Sequence, residues 1–181
     1  ADTPAVITAL PRDSRGYPIP WFVSYVNGQP EFRVADSDKL IAAIKHKLCW
    51  ICGTPLSPKQ HVFVLGPLST ISRVSGEPPS HAECAITAAQ LCPFLTKPKA
   101  VRREANMPAS TAPGFAVDRN PGVTCLWYCK GYTYAVKDGG VLFNLPNPAF
   151  VRWWAEGRKA RRDEICTAFD SGVPIFEELA R

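Results

Sequence analysis

The chain is poor in several things that would have settled its class early. It has one methionine and three histidines in 181 residues. No apolar run approaches the ~20 residues that a membrane-crossing helix needs. There is no phosphate-binding glycine loop, no dinucleotide fingerprint and no Ser-His-Asp order, so the usual signatures of nucleotide enzymes and serine hydrolases are absent. Internal repeats and heptads are missing too. The opening "ADTPAVITALPRD" has neither the charged start nor the apolar core of a secretory leader. The expectation is therefore a chain whose initiator Met was removed or left unnumbered, in the cytoplasm, with no membrane contact.

Acid is scarce in one region. From Lys39 to Arg103 nine basic residues face only Glu77 and Glu83, a local charge of +7, while the rest of the chain carries −2. Such a field favours phosphates or an acidic partner; the plainer reading is a solvated surface. What the chain has in quantity is turn residues, 18 Pro and 12 Gly. They predict short elements and much irregular chain. Apolar content is ordinary, which excludes a disordered protein. The length suits one domain with a sizeable core.

Seven cysteines are present: Cys49, Cys52, Cys84, Cys92, Cys125, Cys129 and Cys166. The odd number, the size and the lack of a leader argue for reduced thiols and a metal site over a disulfide framework.

Turn and periodicity signals divide the chain. "WFVSYV" and "FRV" read as strands paired across "NGQP", with Asn27-Gly28 as the hairpin signal. "DSDKLIAAIKHKL" reads as a helix capped by Asp36 or Ser37. "CWICG" is a tight turn. "HVFVLG" and "STISRVSG" read as two strands joined by "PLS". "EPPSHAECAITAAQLC" reads as a helix with Ser80 as cap and Glu83 as its capping-box partner. The stretch 97–121 is an irregular basic connection. "GVTCLWYC", "YTYAV" and "VLFNL" read as an antiparallel meander, and "PAFVRWWAE" and "RRDEICTAFD" as helices stopped by Gly157 and Gly172. The expected organisation is one compact domain over 1–181. Within it lie a zinc-binding module at 38–96, the 97–121 connection, and a meander plus C-terminal helices at 122–181.

Four residues in the module have metal-ligand spacing. Cys49 and Cys52 flank a turn that Gly53 lets close sharply. His81 and Cys84, three apart, project from one face of a helix's first turn. Three thiols and an imidazole are the donors of a structural tetrahedral zinc site. This order resembles the treble-clef zinc-finger group, in which a "CxxCG" knuckle and the first turn of a helix each supply two ligands. The resemblance covers about 36 residues; the 28 residues between the pairs exceed the short fingers and imply a longer hairpin. It implies a structural Zn²⁺. The longer phrase order "RGYPIPWFV", "CWICG", "EPPSHAECA" and "AEGRKARRDEI…SGVPIF" is similar to small uncharacterised proteins of bacteriophages and their hosts.

Catalytic alternatives fit these residues less well. His81-Ala82-Glu83 has the His-x-Glu of zinc deaminases, but their CxxC lies downstream and here it lies upstream. HNH-type nucleases need a hairpin His, and only His61 qualifies, with no second imidazole beside it. Its plainer role is as a packed or surface residue. His46, between two lysines, reads as solvated. Cys125 and Cys129 share a strand face and read as core, with a second metal site or an oxidised pair as alternatives.

Binding surfaces come from two basic clusters, Lys97, Lys99, Arg102 and Arg103, and Arg158, Lys159, Arg161 and Arg162. In the second, Asp163 and Glu164 can balance the charge. Trp153 and Trp154 diverge by ~100° on the expected helix, so one is available for a partner. The reading is an α+β, treble-clef-like zinc protein that binds and regulates rather than catalyses. Its expected partner is nucleic acid or an acidic protein, with no small-molecule cofactor. The alternatives are a protein-binding adaptor or inhibitor, and a metal-dependent nuclease or deaminase.

Overall fold

A computed structural model describes residues 2–97, 121–179 and 181. Lys99, Arg102 and Arg103, and nearly all of the basic connection, lie outside the described residues.

The chain is a mixed α and β protein, and among the described residues every strand pair is antiparallel. A helical turn, α1 (Ala5–Thr8), precedes the hairpin of β1 (Val23–Val26) and β2 (Gln29–Ala35). Asn27-Gly28 makes the turn, both at positive φ, as the sequence predicts. α2 (Ser37–His46) follows, with the Asp36 carboxylate accepting from Asp38 N and Lys39 N at its start. Next come β3 (His61–Leu65), α3 (Pro67–Ser72), β4 (Val74–Ser75), α4 (Ala82–Leu91) and α5 (Pro93–Thr96). The C-terminal part holds β5 (Thr124–Cys129), β6 (Thr133–Lys137), β7 (Gly140–Asn144), β8 (Phe150–Ala155), β9 (Arg158–Lys159) and α6 (Arg162–Leu179).

The central sheet has the order β3-β5-β8-β9. β5 is buried at every residue, which is why "TCLWYC" reads as a continuous apolar run. Period-two alternation sends its side chains to two cores. On one face Cys125, Trp127 and Cys129 join Phe63 and Leu65 of β3, Phe143 of β7, Leu145, and Leu40 and Ile44 of α2. On the other, Leu126 and Tyr128 join Val62 and pack on Ala85 and Ala89 of α4.

Four sequence expectations are corrected. "STISRVSG" is no strand: Pro67 opens α3 in its favoured first-turn position, and only Val74–Ser75 remains extended. The meander does not form, because β5 pairs with β3 and β8 while β6 and β7 join β4 in a separate sheet. "FVRWWA" is β8, not a helix; its β-branched and aromatic residues suit a pleated sheet. Trp153 and Trp154 therefore face opposite sides, Trp153 with the Phe63 core and Trp154 with the α4 side. Neither is presented as a free partner surface, for both are half-buried. Last, Gly172 does not stop the final helix. α6 runs on through Gly172 and Pro174, and the missing side chain admits Leu68 of α3, which a Cβ at Gly172 would meet at 3.0 Å.

Candidate metal centre

The knuckle is built by backbone bonds across one tight turn. Cys49 N donates to Thr54 O (2.8 Å) and Gly53 N donates to Cys49 O (2.8 Å). Gly53 sits at φ +74°, and a Cβ there would lie 2.6 Å from Cγ of Trp21. Trp21 is itself anchored, its N donating to Ile51 O at 2.7 Å. Trp50 stacks on Phe22 with ring centroids 4.9 Å apart. The aromatics before β1 thus clamp the turn from outside.

The second ligand pair is positioned by the sheet. Ser80 and Val62 exchange two backbone hydrogen bonds, at 2.8 and 3.0 Å, which draws the start of α4 against β3. That pairing overrides the expected cap. With the backbone of Ser80 committed to Val62, His81 becomes the N-cap residue and no side chain caps the helix. Glu83 is exposed in the first turn.

Cys49, Cys52, His81 and Cys84 converge. Their ligand atoms all lie within 4.8 Å of one another, and the group can hold a metal ion such as Zn²⁺. Nδ1 of His81 is 3.4 Å from Sγ of Cys52 and 3.9 Å from Sγ of Cys84. Nε2 of His81 is 3.0 Å from the Pro55 carbonyl. A proton on Nε2 donates there, leaving Nδ1 as the free lone pair, the outer bond a ligating imidazole needs. Cys49 and Cys84 are fully buried. Ile7, Ile51 and Leu56 pack around the sulfurs.

Charge explains why the cluster suits a cation. Cys52 is held far below the ordinary thiol range, chiefly by hydrogen bonding with Cys49 and then Cys84. Cys49 and Cys84 are pushed up, Cys49 chiefly by its hydrogen bond with Cys52, Cys84 by those with Cys49 and Cys52. Without a cation, three thiols this close oppose one another's ionisation. A divalent ion removes that restriction and drives the remaining protons off.

The other cysteines and histidines are placed differently. Burial pushes Cys125 up to about 12 and Cys129 up to about 11, so both are neutral core thiols at pH 7. His61 is 6% exposed, and its Nδ1 accepts from Gly131 N at 3.0 Å. It is structural, and its removal would strand a backbone donor. His46 is exposed, as expected.

The basic residues also divide. Arg158 donates to Glu164 (2.6 Å) and Glu156 (3.0 Å), and Arg161 to Asp163 (3.1 Å). Half of the 158–162 cluster is thus paired internally; Lys159 and Arg162 remain exposed. Lys97 closes α5. Sequence reasoning overlooked a different surface. The end of α2 supplies Lys45, His46 and Lys47, and Nζ of Lys47 lies 4.5 Å from the centroid of Tyr132 and 3.5 Å from its hydroxyl. Exposed Lys130 is two residues before that tyrosine. The "KHK" run was a signal; its neighbour across the fold was not visible.

No protein-family model, no curated protein and no solved structure matches the chain.

Proposed function

We propose that this is a zinc-stabilised binding protein, a small regulator that engages a polyanionic macromolecule, nucleic acid first. The observation that carries the zinc half is the Cys₃His cluster with a partnered His81 Nε2. Four protein donors would fill the positions of a tetrahedral ion and leave none open for substrate or water, which favours a structural ion over a catalytic one. The buried, hydrogen-bonded His61 and the exposed Glu83 support the same choice. The knuckle and the start of α4 support a treble-clef-like arrangement in which α3 stands where a second hairpin strand was expected.

The Lys45–Lys47 and Lys130–Tyr132 surface supports the polyanion half. It sets cations beside an aromatic ring, a combination suited to phosphates and bases.

Zinc content is measured together with binding to short labelled DNA and RNA across a salt series. One Zn²⁺ per chain, lost in Cys84→Ser, is expected. Binding should weaken steeply with salt, and Lys47→Ala and Lys130→Ala should each reduce the log–log slope by about 1. Zinc-loaded protein that binds neither nucleic acid at low salt would overturn the nucleic-acid reading, and an acidic protein partner would take its place.

A further inference from the structure

β6 lies at the edge of the three-stranded sheet, whose order is β4-β7-β6, and all five of its residues are exposed. Val136 is 73% exposed and Tyr134 47%. Their register partners on β7 are Val141 and Phe143, which belong to or pack on the main core. The Tyr134 ring lies 6.3 Å from that of Phe143. The apolar face of this hairpin therefore runs past the core and out to an open edge.

Register also fixes which backbone groups are free. The turn between β6 and β7 is Asp138-Gly139, both residues at positive φ, a two-residue connection that Lys137 and Gly140 close as a hydrogen-bonded pair. Thr133, Ala135 and Lys137 then bond to β7, while Tyr134 and Val136 turn their N–H and C=O outward. Among the described residues no strand lies beyond them. Soluble proteins blunt such edges with proline, bulges or central charges. β6 has no proline or bulge, and its single charge is at the end.

We propose that β6 pairs with β6 of a second copy of this chain, antiparallel, about a two-fold axis through Ala135. The strand is its own complement in this register. Tyr134 of each copy stands opposite Val136 of the other, giving two aromatic–β-branched pairs on one face, a favourable cross-strand combination. These are the residues with outward backbone groups, so each pair exchanges two hydrogen bonds. Ala135 meets Ala135 at the non-hydrogen-bonded position, where side chains come closest and the smallest fits best. Lys137 meets Thr133 rather than another lysine, so no like charges oppose. A two-residue slip either way leaves two of the five residues without an opposite number in the strand. The product is one continuous six-stranded sheet from two three-stranded ones.

Sedimentation velocity over a concentration series tests this on the zinc-loaded full chain. The expected result is a monomer–dimer equilibrium with a midpoint of about 10–100 µM, the range of a small non-obligate interface. Val136→Pro removes only an outward N–H and leaves the β7 ladder intact. It should weaken association at least tenfold with an unchanged circular dichroism spectrum. Val136→Lys, which places a charge on the edge, should do the same if the proline variant fails to fold. Ala135→Cys should form a disulfide-linked dimer under mild oxidation, since facing Cα atoms at such a site are about 4.5 Å apart. Thr133→Cys should not exceed the wild-type background. A wild-type chain that stays monomeric at about 1 mM, ten times the upper midpoint, would overturn the proposal and leave the edge to a foreign strand. A dimer that survives both Val136 substitutions would overturn it too.

Discussion

Gly53 shapes the candidate metal centre without being a ligand. Its left-handed backbone closes the knuckle, and its hydrogen faces the Trp21 ring. Gly53→Ala should cost about 1–3 kcal/mol from the backbone alone, with the displaced ring adding to it. Thermal unfolding of the zinc-loaded variant, with retention of zinc against a chelator, measures both. His61 makes a different prediction. Burial first, and the Lys47 charge second, hold its pKa below the ordinary 6.5. Both states are neutral at high pH. As pH falls through about 6.5 the unfolded chain takes up a proton that the folded one resists, so stability declines below that value. His61→Asn keeps an acceptor for Gly131 N and removes the titration. Its denaturation midpoint should fall less between pH 7 and pH 5 than that of the wild type, with zinc bound in both.

Among the elements, α4 packs on the sheet through small residues. It supplies His81 and Cys84 at one end and lays Ala85 and Ala89 flat on the central sheet. Ala89→Leu should destabilise by about 1–3 kcal/mol through overpacking and should also weaken zinc binding, because the helix would lift its own ligands. Chelator competition and chemical denaturation on the same variant test the pair of effects. Legibility from sequence followed the range of the signal. Asn27-Gly28, the Asp36 cap and the ligand pairs Cys49–Cys52 and His81–Cys84 are local patterns with local causes, and the structure has them. "FVRWWA" was misread because six residues with adjacent tryptophans carry no clear period, and pairing with β5 decides the matter. "STISRV" reads as the return strand of a hairpin after "PLS", whereas Pro67 starts a helix there. The cap at Ser80 was legible as a local motif but lost to Val62, a residue 18 positions away. The partners of β5 could not be read at all, since nothing in "TCLWYC" names a strand 60 residues earlier.

For the whole molecule, the metal centre joins three parts: the N-terminal aromatics, the knuckle, and a helix seated on the central sheet. Removing the ion would leave three buried thiols within 4.8 Å of one another and of His81, with no cation to hold them together. Chelation should therefore lower the unfolding temperature sharply rather than release a loose module. Adding zinc back should liberate protons, detectable as a buffer-dependent heat in calorimetry. Affinity should fall as the pH is lowered, because each thiolate must then be formed against more protons.

The central sheet takes β3 from before residue 98 and β5 from after residue 120, and the two strands match residue for residue over five positions. The second half supplies the middle of that sheet, β5 and β8, and the first half supplies its edge strand, β3. The chain is thus a natural candidate for splitting: two separately produced pieces, 1–97 and 121–181, should each lack the cores that β3 and β5 share, yet recombine on mixing. The first piece would bring the zinc and the second the strand that β3 needs. Reassembly of such fragments, followed by recovery of the near-ultraviolet signal of Trp127, would show that the two halves recognise each other through the sheet.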